Sequence, residues 1–464
     1  MRRWAMKRYI LRRSFREDTL QRIGIIVGAL LTALFGLAPC LLAGEITFHQ
    51  QVLPVLQKHC ISCHRPGEAA PMSLLTYKDA RPWAKAIREA VLTKKMPPWF
   101  ATDLTHPGYR NDRRLTPTEI QTLAEWGRGG APEGDPSQSP AAVSFVDHWS
   151  IGKPDLVVEL PRELAVPATG KVEYTYVRVS VGLTEDKWIE RIEARPGNRA
   201  VVHHIDVLAV GPGKSAFVDM KPGVAYEFPT RPEDLPKGSD DGTGEVYGAD
   251  EELIAGYLPG DSTHDLLTGQ ARLLKAGADL VLMMHYTPNG KPTTDRSRVG
   301  IIFAKNPPKQ RARRYIIDNL RLRIPPNDPD FKVTSRVILN SEVNVLSMTP
   351  HMHYRGKSFE YEARFPDGHT LTLLKVPRYN FNWQLTYELT EPVALPKGTQ
   401  IVCTARYDNS ANNPFNPAAS REVPWGEQTS DEMMSAFIDV AFDPGTDPSS
   451  IWLRPDYSNK STGE

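Results

Sequence analysis

Ala200-Val201-Val202-His203-His204-Ile205-Asp206-Val207-Leu208-Ala209-Val210 is an apolar, β-branched run, closed by Pro196-Gly197-Asn198 before it and by Gly211-Pro212-Gly213 after it. Such a run between turn residues reads as a strand. The same reading fits residues 172–181, 187–195, 279–286, 298–304, 332–339, 358–365 and 400–407. Many short strands with Pro, Gly and Asn turns predict antiparallel β-sandwiches or jelly rolls rather than a parallel sheet. The 40 prolines and 33 glycines of the 464 residues point the same way.

The first part of the chain reads differently. Residues 48–59 and 79–94 carry apolar side chains at helical spacing, and Thr116-Pro117-Thr118-Glu119 opens a third helix, 116–126, with a capping signal. A Pro-, Ser- and Gly-rich stretch then marks a linker. The expected division is a helical unit at 44–132, a linker at 133–147, β units at 148–305 and 306–445 parted at Asn306-Pro307-Pro308-Lys309, and a loose polar tail at 446–464. The fold class expected is mainly β with a small α domain.

Net charge is +1, with 56 Lys and Arg against 55 Asp and Glu. Eight of the cations and two of the anions fall in residues 1–43, which leaves −5 for the remainder. No basic surface for nucleic acid is expected. Basic residues up to Arg22 precede an apolar run at 23–43, the pattern of a signal peptide or, uncleaved, of a membrane anchor. The chain is expected in the periplasm or outside the cell, held at the inner membrane if that segment stays attached.

Four cysteines are present. Cys40 lies in the N-terminal segment, and Cys403, in a strand-like run, reads as a small buried hydrophobe. Cys60-Ile61-Ser62-Cys63-His64 has the attachment pattern of one covalent c-type haem, with two thiols for thioether links and His64 as the iron's proximal ligand. Met96, in Lys95-Met96-Pro97-Pro98-Trp99, is the expected distal ligand, and Met72 competes with it. The helical unit is therefore expected to be cytochrome c-like.

His351 and His353 are two apart, so on a strand both imidazoles share a face. Adjacent His203 and His204 point to opposite faces of a regular strand, and sharing one metal requires a local twist or different ring nitrogens. His285, at the end of another apolar strand, completes three imidazoles. Met433, beside Met434 in Asp431-Glu432-Met433-Met434, adds a thioether to the His351/His353 pair. Imidazole suits copper and zinc alike, and a thioether favours Cu(I). Spacing alone leaves the choice of metal open. His106, His148, His264 and His369 have no partner spacing and read as surface or structural residues.

From about residue 144 to 442 the chain resembles the copper type II, ascorbate-dependent monooxygenases, the group of peptidylglycine α-hydroxylating and dopamine β-monooxygenases. The features occur in family order: a His-His pair, a His-Tyr at a strand end, a His-x-His and an Asp-Glu-Met. The resemblance implies two β-sandwich domains with one copper each. It implies an electron-supplying copper on His203, His204 and His285, and a catalytic copper on His351, His353 and Met433. The chain departs from the peptide-hydroxylating members, which carry an Arg where Thr349 stands and an Asn and a Tyr where Ser435 and Phe437 stand. The peptidylglycine substrate is not carried over.

The function expected is hydroxylation of a C–H bond with O2, in a small-molecule or peptide substrate, with electrons from an ascorbate-like donor or redox protein relayed by the haem. The alternative is a non-catalytic electron carrier or copper-binding cytochrome fusion.

Overall fold

Strand Val202–Val210 is covered on both faces. Ile205, Val207 and Ala209 enter one closed core, and Leu208 and Val210 enter another. That alternation is what an apolar strand without a solvent face must do. The computed structural model describes residues 45–453, apart from 67, 69, 104–107, 145–148, 171, 214, 216, 218, 228–250, 259–262 and 427. The apolar run 23–43, His106, His148 and the His264 side chain lie outside the described residues. Among the described residues no helix is long and apolar enough to cross a membrane.

The architecture is mainly β, with sheets packed as sandwiches. Strand Val202–Val210 sits in a five-stranded sheet ordered Ala225–Glu227, Thr175–Ser180, Asp279–Tyr286, Val202–Val210, Glu251–Tyr257. Its inner face packs through Val177, Ile205, Val207, Leu280 and Leu282 on Ile189, Ile192, Ala194, Val299 and Ile301 of a second sheet. That second sheet runs Leu156–Glu159, Arg298–Phe303, Lys187–Arg195, Gln270–Leu274, Gln310–Asp318, Ser435–Phe442, Val343–His351, Tyr387–Leu395, with Thr263–Asp265 paired to Lys187–Arg195. Its far half packs through Tyr315, Ile317, Val345, Ile438 and Val440 on a third sheet carrying Phe359, Tyr361, Ala363, Ile401, Cys403 and Ala405.

The seam expected at Asn306-Pro307-Pro308-Lys309 is a connection inside one sheet. Gln310 and Arg311 pair in parallel with Gln270 and Ala271, and Lys309 N donates to Gly269 O at 2.7 Å. The two β units therefore share a continuous ladder.

Residues 45–98 and 113–135 build the helical unit around Phe48, Leu56, Leu123 and Trp126. The expected helix at 116–126 is Pro117–Arg128, with a full capping box: Glu119 N donates to Thr116 Oγ1 and Thr116 N to Glu119 Oε2. Residues 99–103 and 108–111 leave this unit. Trp99 and Tyr109 pack edge-on with Tyr387, Tyr109 bridges to Leu389, and Asn111 Nδ2 donates to Thr386 O. The burial of two large aromatic rings on the last β unit outweighs chain proximity to the helices.

The tail is partly fixed as well. Trp452 pairs opposite Leu339 and stacks edge-on against Tyr315 at 4.1 Å, and Ile451 is fully buried. An apolar Ile-Trp pair within a polar stretch accounts for this correction.

Candidate metal-binding cleft

The adjacent histidines are brought together by a β-bulge. His285 stands opposite His204, but Tyr286 stands opposite Val202, so His203 is the extra residue of its strand. A bulge re-aims side chains, which resolves the facing problem that a regular strand poses. His203 Nδ1 and His285 Nδ1 each lie 3.3 Å from His204 Nδ1, and the three rings form one potential ligand group. With metal–nitrogen bonds of about 2.0–2.1 Å, that separation subtends about 107° at a shared ion, close to tetrahedral. Burial lowers the pKa of His203 and, with His285 and His203 next in order, drives that of His204 well below its ordinary value. Neutral imidazoles are what a metal ligand set requires.

His351 and His353 lie across a cleft. His351 ends strand Val343–His351, and between the two histidines Met352 turns into the core. Their ring centroids are 5.2 Å apart. His351 Nδ1 contacts Gln384 Oε1 at 2.6 Å and His353 Nδ1 contacts the Asp431 carbonyl at 3.2 Å. With each Nδ1 engaged by an oxygen acceptor, each Nε2 is left with its lone pair. Burial pushes the His351 imidazole down to about 4, and burial, then His351, drives that of His353 well below its ordinary value.

Glu432 fixes this segment from beneath. It is fully buried, its carboxylate accepts from His353 N at 2.8 Å and Arg355 N at 2.6 Å, and burial pushes it up to about 8. Arg355 in turn donates to Asn409 Oδ1 and the Ser430 carbonyl. Met433 lines the cleft with His351, whereas Met434 is wholly buried in the core.

The cleft holds a cavity of about 110 Å³. One wall is the outer face of the first unit's sheet, with Tyr174, His204, Asp206, Leu253 and Met283. The other carries Arg314, Thr349, His351, Met433 and Phe437, with Gln384 and Thr386. Burial pushes the Asp206 carboxyl up to about 6, with Arg314 pulling it down. The two histidine sets sense each other, since His351 and His353 both add to the His204 shift. Phe381 lies between them, its centroid 6.3 Å from His203 and 6.2 Å from His353.

The Cys60–His64 turn closes the first helix, with Cys63 N and His64 N donating to the Cys60 carbonyl. Burial, then Cys63, pushes the Cys60 thiol up to about 12. Burial lowers the His64 pKa, opposed by a backbone hydrogen bond at Met72, and its Nδ1 is sealed from solvent; a neutral, shielded imidazole fits an axial ligand. Met72 and Cys60 pack on the helical core, while Met96 is half-buried outside that packing set. The loop after His64 reaches the first β unit: Glu68 pairs with Arg199 at 2.9 Å, and Arg199 covers the ring of Tyr257, the register partner of Ile205.

Sequence reasoning missed Gln384, Phe381, Asp206, Arg314 and Arg355. Gln384, Phe381 and Arg314 come from other loops and strands with no spacing signal to the histidines, whereas Asp206 and Arg355 stand two residues after His204 and His353, a spacing that could have pointed to them. His369 is exposed and bonded to Asp367, as a lone surface histidine would be.

No family model matches the chain, and no curated protein matches it. Solved structures similar to it include the major capsid protein P2 from bacteriophage PM2, at 10% identity over 62% of this chain and 98% of that one, with a TM-score of 0.26. The infectious bursal disease virus Gt strain matches at 11% identity over 69% of this chain and 77% of that one, with a TM-score of 0.19. Likeness at that level carries no argument.

Proposed function

We propose that this chain is an exported monooxygenase of the copper type II, ascorbate-dependent kind, carrying a c-type cytochrome unit ahead of its two copper domains. One observation carries the reading: two unlike histidine sets, three convergent imidazoles and a pair followed by a methionine, reach one cleft through His204 of the first and His351 and Met433 of the second. The net reaction joins a C–H bond, O2, two electrons and two protons to give an alcohol and water. Copper, when bound, supplies the one-electron redox chemistry and the activation of oxygen at the thioether set.

The chain's own residues supply the rest. His203, His204 and His285 would hold the electron-supplying ion through Nδ1, and His351, His353 and Met433 the catalytic one. Gln384 and the Asp431 carbonyl orient the rings of the second set, and Glu432 holds the backbone beneath them. Leu253, Met283, Tyr174 and Phe437 give the cleft apolar walls that limit water beside the reacting bond. Cys60 and Cys63 would attach the haem, with His64 and Met96 or Met72 as axial ligands. The Glu68–Arg199 contact brings its attachment loop against the first copper domain.

The test is copper and iron per chain after export-competent expression and mild copper loading. Two coppers per haem iron, with substrate-dependent oxygen uptake, is the expected result. Zinc or no metal beside an intact haem would overturn the monooxygenase reading.

A further inference from the structure

We propose that a second pocket, on the last β unit, binds a sugar ring. The proposal goes beyond the reading above and needs no metal.

The pocket is a cavity of about 410 Å³, within the range of small-molecule sites. Its walls come from three chain segments, within 354–357, 377–382 and 408–415. These segments are held before any ligand arrives. Asn413 Nδ2 donates to the carbonyls of Tyr354 and Asp408, and Phe415 N donates to Asn413 Oδ1. Beside them, fully buried Asn409 accepts from Arg355 Nε and Asn416 Nδ2, each at 3.0 Å. A site fixed in this way does not spend binding energy on ordering its loops.

Two kinds of surface meet in the pocket. Tyr354 and Phe415 are 36% and 63% exposed, and Phe381 packs edge-on against Tyr354 at 4.9 Å. Exposed aromatic rings gathered at one pocket, rather than scattered, mark a binding surface. Around them stand polar groups with unused hydrogen-bonding capacity. Asn382 and Asn412 donate through their backbone N–H, and neither side-chain amide has a protein partner among the described residues. The Arg378 guanidinium has none either, and Asp408 accepts from Ser410 N through Oδ1, which leaves Oδ2 open.

That combination selects the ligand. A sugar ring presents a face of C–H bonds that packs on an aromatic ring, and a rim of hydroxyls, each both donor and acceptor. Amides supply both roles, a carboxylate accepts and a guanidinium donates. A purely apolar ligand would strip water from the amides without replacing their hydrogen bonds. Charge argues for a neutral ligand: Asp408 opposes an anion, Arg378 opposes a cation, and Lys357 is paired with Asp330. The pocket also shares Phe381 with the metal-binding cleft, where that ring lies 6.3 Å from His203 and 6.2 Å from His353. A sugar packed on Phe381 therefore sits beside both histidine sets.

The test is ligand-observed saturation-transfer NMR titration of the full-length protein with the methyl glycosides of glucose, galactose, mannose and xylose. Cyclohexanol, a six-membered ring with a single hydroxyl, is the comparison. At least one glycoside is expected to bind with a Kd of about 1 mM or tighter. Cyclohexanol should bind about tenfold or more weakly, the worth of one or two neutral hydrogen bonds. Phe415→Ala and Asn382→Ala, each at an exposed position, should each weaken the glycoside by about fivefold. Trp83→Ala, which removes an exposed ring from the helical unit, should change nothing. The proposal is overturned if no glycoside binds, if cyclohexanol binds as well as the glycosides, if either pocket variant leaves binding unchanged, or if Trp83→Ala weakens it. None of these results depends on copper, so the monooxygenase reading stands or falls separately on its own metal count.

Discussion

Met433 and Met434 are neighbours that face opposite environments: Met433 lines the cleft with His351, and Met434 is fully buried among the apolar side chains of the last β unit. If the proposed copper sits on His351, His353 and Met433, X-ray absorption of the reduced, copper-loaded protein should show a copper–sulfur contact that Met433→Ile deletes. Loss of a mere supporting partner costs a metal site about 10–100-fold, so hydroxylation should fall by at least about a hundredfold. Met434→Leu conserves volume and should cost less than about 1.5 kcal/mol of stability with the sulfur contact retained. The reverse pattern would move the ligand to Met434.

The bulge at His203 gives the second prediction. If the proposed two-copper, one-haem composition holds, His203→Ala should lower bound copper from two per chain to one and leave the haem spectrum unchanged. His369→Ala, which removes an exposed ring bonded to Asp367, should alter neither. Elemental analysis of the purified variants decides the point. Two coppers retained by His203→Ala would exclude it from the first ligand set.

A pH effect follows from Glu119. Burial acts to raise its pKa, but hydrogen bonds from Thr116 N, Lys58 and His59 overcome this and bring it down to about 2, against 4.5 ordinarily. A carboxylate whose folded pKa is depressed contributes stability above its unfolded pKa, and loses that contribution as pH falls through the folded value. Glu119→Gln should thus destabilise the helical unit at neutral pH. The gap from the parent should narrow below about pH 4.5 and close near pH 2. Thermal melts across that range, followed by the haem absorbance, would measure it; a pH-independent gap would mean that the capping geometry alone matters.

Strands were readable wherever apolar runs met clear turn residues: residues 187–195, 279–286 and 400–407 match observed strands end to end. The strand expected at His351 and His353 is Val343–His351, which stops before His353; its earlier part was not legible because Ser347, Thr349 and Pro350 interrupt its apolar pattern, and it is stabilised by neighbours on both sides. The parallel pairing of Gln310 with Gln270 could not be read, since it depends on which edges meet. The candidate ligand residues stood out because imidazole pairs are rare and spaced in sequence. Gln384 and Arg314, which orient or charge the same cleft, reach it from residues 33 away from His351 and 125 away from Asp439, so only the fold assembles them.

The last prediction concerns Arg199. It joins the loop after His64, through Glu68, to Tyr257, whose register partner Ile205 follows His204 in the chain. The ion pair is largely shielded, with side chains 14% and 11% exposed, so it should hold the loop better than an open surface pair does. On the proposed haem and copper composition, Arg199→Ala should leave both contents intact while loosening this seat. A misplacement of about 1 Å can cost on the order of a hundredfold where alignment matters, so reoxidation of ferrous haem by Cu(II) on the triad should slow by about tenfold or more. Anaerobic stopped-flow absorbance of the copper-loaded protein reads that rate directly. An unchanged rate would free the Glu68–Arg199 contact from any part in electron delivery, and absence of haem reoxidation in the parent protein would remove the relay itself.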